Sequence, residues 1–430
     1  MRYQFNLEKA RDNIKNIIDE LVNHMQHSGA IIVATNKKTI YKKYFGYADI
    51  PKKIPISQDT QLLAGSVTKQ FTAVAILKAL FDKNTYKNDH KKIKDNIKTE
   101  LNNTVDHYLP AGHEIWNGSM PTWASIVTIH QLLIHSSGIT NYTSLPDYEK
   151  QKFLRHSDLI AFFKTHELEF NPGEKFSYSN SGYYLLGVII QQITQQRLDT
   201  YLEKTFFDPL GMRSTFLAMQ GTVDDLIRTD ARFSHLSRGY QYEIAEQDTS
   251  LKEVKRYESM EVPGAAGSLI STAEDLLKWD NALYNGEVIP TFLLELFVQP
   301  YLVTERPDAY YGYGIEIMQS EIVGKYYSHR GGIPGFRSIL TFIPLLQISI
   351  VILQNIVADQ EKIMPEIEKI KADLPKTLSK EESLQELVKL VEDKYPNINE
   401  NKKRYEFSPV YDVIIKAIEN VCISKSTDLI

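Results

Sequence analysis

The residues richest in strand character lie at opposite ends of the chain, and that separation limits the folds open to it. Near the start, "AIIVATNKKTIYKKYFGYADI" holds two β-rich runs, Ala30–Thr35 and Thr39–Tyr47, around the turn Asn36-Lys37-Lys38. This predicts a hairpin. Comparable runs return only much later, in "YYGYGIEIM", "GKYYSHRGG" and "GFRSILTFIPLLQISIVILQN". A lone hairpin is marginal in water and leaves both edges open. The distant segments are therefore expected to complete one antiparallel sheet. The stretch between them reads as helix: "GSVTKQFTAVAILKALF" is apolar on nearly every side, as a buried helix is, and "VTIHQLLIHSSGI" and "SGYYLLGVIIQQITQQ" follow. Between Asp82 and Asn117 the chain is rich in Lys and Asn and weakly periodic, which predicts a solvated insertion in loop form.

The fold class expected from this order is α/β of the α+β kind: an antiparallel sheet flanked by helices, with an all-helical lobe inserted. Residues 1–80 and 262–375 would form the discontinuous sheet domain, 81–261 the helical lobe and 376–430 a C-terminal helical extension. In that extension Ser379 and Glu382 make a capping box ahead of Leu384, Leu387, Val388 and Val391, and Ser408-Pro409 opens a second helix. These helices either pack on the body or contact a partner. At the other end Ile14, Ile17, Ile18, Leu21, Val22 and Met25 recur at helical spacing, which predicts an amphipathic surface helix.

A net charge of −5 spread along 430 residues gives no basic patch, so nucleic acid is not an expected partner. The single cysteine, Cys422, excludes an internal disulfide framework and a cysteine-based zinc site. No apolar run is long enough to span a membrane, and the N-terminus has no apolar signal core. A cytoplasmic protein and a secreted one with its leader removed both fit.

Three short motifs carry the candidate chemistry. Ser66 is the only serine with a lysine three positions on, and Lys69 sits inside a run that otherwise reads as core. On a helix the two share a face, beside the unsatisfied N–H groups of the first turn. A buried lysine amine that has lost its proton can take the serine's. The bland alternative is a capping serine with a solvent-facing lysine. Next, "FNPGEKFSYSNSGYYLLG" sets a Pro172-Gly173 turn before Tyr178-Ser179-Asn180 and an apolar helix. A phenol can relay a proton there, and an amide can hold both an ammonium and a carbonyl; alternatively, Asn180 is an ordinary helix cap. Last, "YYSHRGGIPGFRS" ends a β-rich run in His329-Arg330-Gly331-Gly332, where glycines admit close backbone approach. Tyr-x-Asn also occurs at Tyr86 and Tyr395, and His-x-Gly at His27, so it is the order and setting of the three motifs that carry the reading.

In that order the chain resembles the penicillin-recognising serine enzymes: class C β-lactamases, DD-peptidases and their esterase and D-aminopeptidase relatives. The resemblance runs from about Gly29 to Asn355 and includes "LNNTVDHYLP", "TIHQLLIHSSGI", "FFDPLGM", "PGAAGSLISTAEDLLKW" and "YGYGIEI". It implies a β-lactamase/transpeptidase-like fold and a serine hydrolase working through a covalent acyl-enzyme, with no metal or organic cofactor. Ser66 would be the nucleophile, Lys69 its partner and Tyr178 the proton shuttle, its phenolate favoured by a nearby Lys⁺. Asn180 would orient Lys69 and substrate, the N–H groups of Ser66 and Gly332 would form the oxyanion hole, and His329 would belong to the catalytic group. The resemblance also points to the periplasm or cell exterior. The substrate would be a small molecule or peptide: a D-amino-acid or peptidoglycan-like peptide, an ester, or a β-lactam turned over slowly. The rival is a non-catalytic relative that binds a ligand or partner.

The chain departs from many β-lactamases at the third motif, where Arg330 replaces a small hydroxyl residue. Arg330, with Asn180 and Gly331, is a candidate substrate contact, either clamping a carboxylate, blocking the acid group of a penicillin or turned to solvent. The Ser-Asp-Asn motif of class A β-lactamases, Gly-x-Ser-x-Gly and His-Glu-x-x-His are absent.

Overall fold

The computed structural model describes residues 28–358, apart from 36–37, 85–88, 149–155, 245–248, 255–259, 261 and 307, together with Lys15. The helices expected near Ile14–Met25 and after Ser379, and Cys422, lie outside the described residues.

An eight-stranded sheet organises the molecule. Its strands are β1 (Gly29–Thr35), β2 (Thr39–Phe45), β3 (Leu302–Val303), β4 (Ala309–Tyr311), β5 (Glu316–Ser320), β6 (Gly324–Ile333), β7 (Phe336–Ile343) and β8 (Ile348–Gln354). They lie in the order β3-β4-β5-β6-β7-β8-β1-β2, and every neighbouring pair is antiparallel. The early hairpin is thus joined to the late strands along the whole of β1, from Gly29 opposite Gln354 to Thr35 opposite Ile348. β8 is buried at all its positions and β1 at all but Thr35, which explains why both read as continuous apolar runs instead of alternating ones.

Four helices matter for the site: α1 (Thr68–Lys83), α2 (His90–Leu101), α3 (Asn180–Thr194) and α4 (Ala273–Tyr284). Twelve of the sixteen residues of α1 are buried, as its all-round apolar sequence requires. Phe71 of α1 stacks on Trp279 of α4 with ring centroids 4.0 Å apart, and Tyr284 of α4 lies flat on Phe342 of β7 at 4.1 Å. These contacts press α1 and α4 onto one face of the sheet.

Three expectations are corrected. The stretch after Asp82 is not all loop: it holds α2, capped by Asp89, whose side chain accepts from the Lys92 N–H at 3.0 Å. Only Ile93, Ile97 and Leu101 of α2 are buried, a stripe one residue wide on a polar background, so composition masked its period. The helix in "VTIHQLLIHSSGI" covers only Ile129–Leu133, because His135 takes a left-handed backbone (φ 57°) and turns the chain away. The segment 81–261 is not wholly helical, since Tyr240–Ile244 and Thr249–Glu253 form a hairpin whose first strand pairs in parallel with Ile356–Ala358. No helix among the described residues is long and apolar enough to cross a membrane.

Candidate active site

Ser66 lies in a single 3₁₀ turn, Gly65–Val67, that leads into α1. No side chain caps either helical start, so the simple capping role for Ser66 does not hold. The turn is pinned from several sides. Thr68 Oγ1 donates to Gly65 O at 2.6 Å, and Ser338 Oγ of β7 donates to Ala64 O at 2.6 Å. Gly65 has φ +50°, and a Cβ there would sit 2.9 Å from the Gly332 nitrogen, so only glycine fits. Ser66 itself is half-buried.

Lys69 is fully buried one turn on. Its Nζ lies 3.1 Å from Ser66 Oγ, 2.7 Å from Asn180 Oδ1 and 2.8 Å from Ala266 O. Burial pushes its amine well below the usual lysine range. The two carbonyl oxygens can only accept, so a neutral amine gives both its hydrogens to them. Its lone pair is then left for Ser66.

Asn180 is the first residue of α3, and its side chain caps nothing, because its amide is used elsewhere. Oδ1 takes the Lys69 bond, and Nδ2 donates to Asn141 Oδ1 at 3.2 Å, which also accepts the Asn180 backbone N–H at 3.1 Å. Tyr178 presents its ring to Lys69, with Nζ 4.8 Å from the centroid. Burial raises the Tyr178 hydroxyl above the ordinary tyrosine range, a hydrogen bond with Ser66 opposes this, and Glu316 adds to it. Desolvation acts against charge on both groups, which runs counter to the expected Lys⁺ and Tyr178 phenolate pair.

The third motif lies on the half of β6 that outruns its neighbour. β5 pairs with β6 only from Gly324 to Ser328, and from His329 to Ile333 the strand pairs with β7 alone. That leaves a free backbone edge beside Gly65. Gly331 lies so close to the Ser66 turn that a Cβ would meet Ala64 O at 2.0 Å and Ser338 Oγ at 2.2 Å. His329 is buried, its ring 6.5 Å from that of Tyr178, and burial together with Lys69 pushes it down to about 3. Arg330 is exposed and, by the alternation of the strand, leaves the face opposite His329. Ser66, Lys69, Tyr178 and Asn180 thus meet at one point, with His329, Gly331 and Gly332 around it, and Arg330 is exposed on the strand between them.

Sequence reasoning missed Asn141, Ala266, His135 and Tyr311. Asn141 sits on no motif, and Ala266 acts through its carbonyl, which no side chain announces. His135 lies in "TIHQLLIHSSGI" and Tyr311 in "YYGYGIEIM", both singled out for pattern but given no role. Among the described residues no three His, Cys, Asp or Glu side chains are grouped to hold a metal ion.

Known proteins share this arrangement of chain. Penicillin-binding protein 4* of Bacillus subtilis is 25% identical over 341 residues, covering 77% of this chain and 69% of that protein. Protein flp of Staphylococcus aureus is 29% identical over 267 residues, covering 61% of this chain and 47% of that protein, so the chain spans about half of flp. Among solved structures, D-amino acid amidase from Ochrobactrum anthropi SV3, complexed with L-phenylalanine amide, superposes with a TM-score of 0.65 at 22% identity, over 81% of this chain and 92% of the other. A penicillin binding protein from Bacillus halodurans gives a TM-score of 0.64 at 24% identity, over 83% and 99%. At these identities the two superpositions establish the fold. The model described as Beta-lactamase matches residues 14–369, most of the sequence, and the chain belongs to that family.

Proposed function

We propose that this chain is a serine hydrolase that cleaves an amide or ester bond through an acyl-enzyme on Ser66. The observation that carries it is the placing of Lys69: its Nζ lies 3.1 Å from Ser66 Oγ and is held by Asn180 Oδ1 and Ala266 O, so that as a neutral amine it turns its lone pair to the Ser66 hydroxyl. In acylation Ser66 Oγ bonds to the substrate carbonyl carbon and its proton passes to Lys69 Nζ. The resulting ammonium has three acceptors already in place. The carbonyl oxygen, now an anion, lies against the N–H groups of Ser66 and Gly332, each such donor being worth about 2.7–4 kcal/mol of transition-state stabilisation. The neutral Tyr178 phenol gives its proton to the leaving amine or alkoxide and is resupplied from Lys69. In deacylation the same groups work in reverse, with water as the nucleophile.

The substrate class we propose is a small acyl donor: an amino-acid amide, as in the complex of D-amino acid amidase, or a short peptide, with penicillins as slow acylating analogues. An exposed Arg330 on the far face of β6 leaves recognition of the acyl group to Asn180, Asn141 and the strand edge. The test is intact mass after incubation with a penicillin, with Ser66→Ala alongside and D- and L-phenylalanine amide turnover measured in parallel. A Ser66-dependent adduct or amide turnover supports the proposal; if Ser66→Ala matches wild type on every active substrate, it is wrong.

A further inference from the structure

Behind Tyr178 three buried side chains form a continuous hydrogen-bonded bridge that the acylation chemistry does not use. His135, Tyr311 and His329 are 1%, 1% and 2% exposed. The Ser179 N–H donates to His135 Nδ1 at 3.1 Å; His135 Nε2 lies 3.2 Å from Tyr311 Oη; Tyr311 Oη lies 2.9 Å from His329 Nε2; and His329 Nδ1 lies 2.8 Å from Arg330 O.

The two ends fix every proton between them. A backbone N–H can only donate, so His135 Nδ1 is bare and its hydrogen is on Nε2. A backbone carbonyl can only accept, so His329 carries its hydrogen on Nδ1 and Nε2 is bare. Tyr311 therefore accepts from His135 and donates to His329. A proton added to His135 would confront the Ser179 N–H. One added to His329 would leave the Tyr311 hydroxyl without an acceptor. Burial and the neighbouring Lys69 act in the same direction on both rings.

The bridge ties the Tyr178–Asn180 loop to the strand that carries Gly332. It also flanks the phenol, with the His135 ring 4.2 Å from the Tyr178 ring. We infer that Tyr311 is a positioning residue: by holding His135 and His329 as a neutral bridge of single tautomers, it sets Tyr178 against Ser66 and keeps a second cation away from Lys69. This rests on the serine hydrolase reading. The groups facing the bridge are Lys69, Tyr178, Tyr183 (ring 4.9 Å from His135) and Glu316, the last paired with Arg306 at 3.1 Å. None of them supplies a bond that could replace Tyr311 between the two imidazoles.

The experiment is long-range ¹H–¹⁵N NMR of the histidine side chains in the full chain, assigned with His135→Gln and His329→Gln. Penicillin acylation rates are measured for wild type and Tyr311→Phe. In the wild type, His135 should appear as the Nε2–H tautomer and His329 as the Nδ1–H tautomer, neither titrating between about pH 5 and 8. In Tyr311→Phe at least one ring should begin to titrate or exchange tautomers. The acylation rate constant should fall by about 10²-fold, the scale of a misplacement of about 1 Å, with noncovalent affinity unchanged. A titrating ring or a reversed tautomer in the wild type overturns the bridge, and this needs no variant to fold. A folded Tyr311→Phe protein that acylates at the wild-type rate overturns the positioning role. If wild-type Ser66 is never acylated, the hydrolase reading and the positioning role fail together, while the tautomers still decide the bridge.

Discussion

Lys69 and Asp280 are two buried charged-type residues that behave oppositely. Lys69 has three partners and a depressed amine, so between its folded pKa and the ordinary lysine value of 10.5 the unfolded chain holds a proton that the native state lacks. Native stability rises with pH across that window, and acylation should rise as pH passes up through the folded value. Lys69→Met should lower the acylation rate by about 10²–10⁴-fold. Relative to wild type the variant should lose standing as pH rises toward 10.5, read by melting curves of the two across pH. Asp280, 1% exposed on α4, has no part in the site; burial pushes its carboxyl up to about 8. Here the native state keeps a proton that the unfolded chain releases above 3.8. The stabilising contribution is full below 3.8 and lost as pH rises through about 8. Asp280→Asn should remove this loss, so the variant gains on wild type by on the order of several kcal/mol from the acid to the alkaline end, read by melting curves across pH.

At the scale of elements, the glycines of β6 show how strand and turn are fitted. Gly331 and Gly332 are adjacent and look alike in sequence, yet a Cβ on Gly331 meets Ala64 O at 2.0 Å, while one on Gly332 finds Arg337 Nη1 at an ordinary 3.5 Å. Gly331→Ala should therefore lower the melting temperature sharply, by the several degrees that about 2 kcal/mol or more represents in a chain of this size, and Gly332→Ala should not. Equal melting temperatures for the two would show that strand and turn are not held this tightly. Other elements were legible to different degrees. α1 and α3 declare themselves because their apolar runs are long, and β1 and β8 because they are buried on both faces. α2 did not, because three apolar residues in twelve give too narrow a stripe to stand out from its lysines.

For the whole molecule, the sheet joins residues 29–45 to residues 302–354, and β1 lies inside it between β8 and β2. Opening β1 or β8 means breaking that long-range closure, so hydrogen exchange of β1, β7 and β8 should be the slowest in the chain, with α2 exchanging faster. Comparable protection of α2 and β8 would argue against this sheet as the last unit to open. The same closure brings the three motifs together: Ser66 and Lys69 from the turn and start of α1, Tyr178 and Asn180 from the entry to α3, and His329 to Gly332 from the far half of β6, with α4 packed on β7 of the sheet. The sequence by itself determined which motifs are candidates for chemistry and which long apolar runs become strand or buried helix, because residue type, short spacing and apolar period are local properties. Only the tertiary structure decided that burial depresses the Lys69 amine, that Arg330 is exposed where His329 is buried and that His135, Tyr311 and His329 form one bridge. Desolvation, the facing of a twisted strand and the direction of a hydrogen-bond chain depend on what the rest of the fold packs around each group.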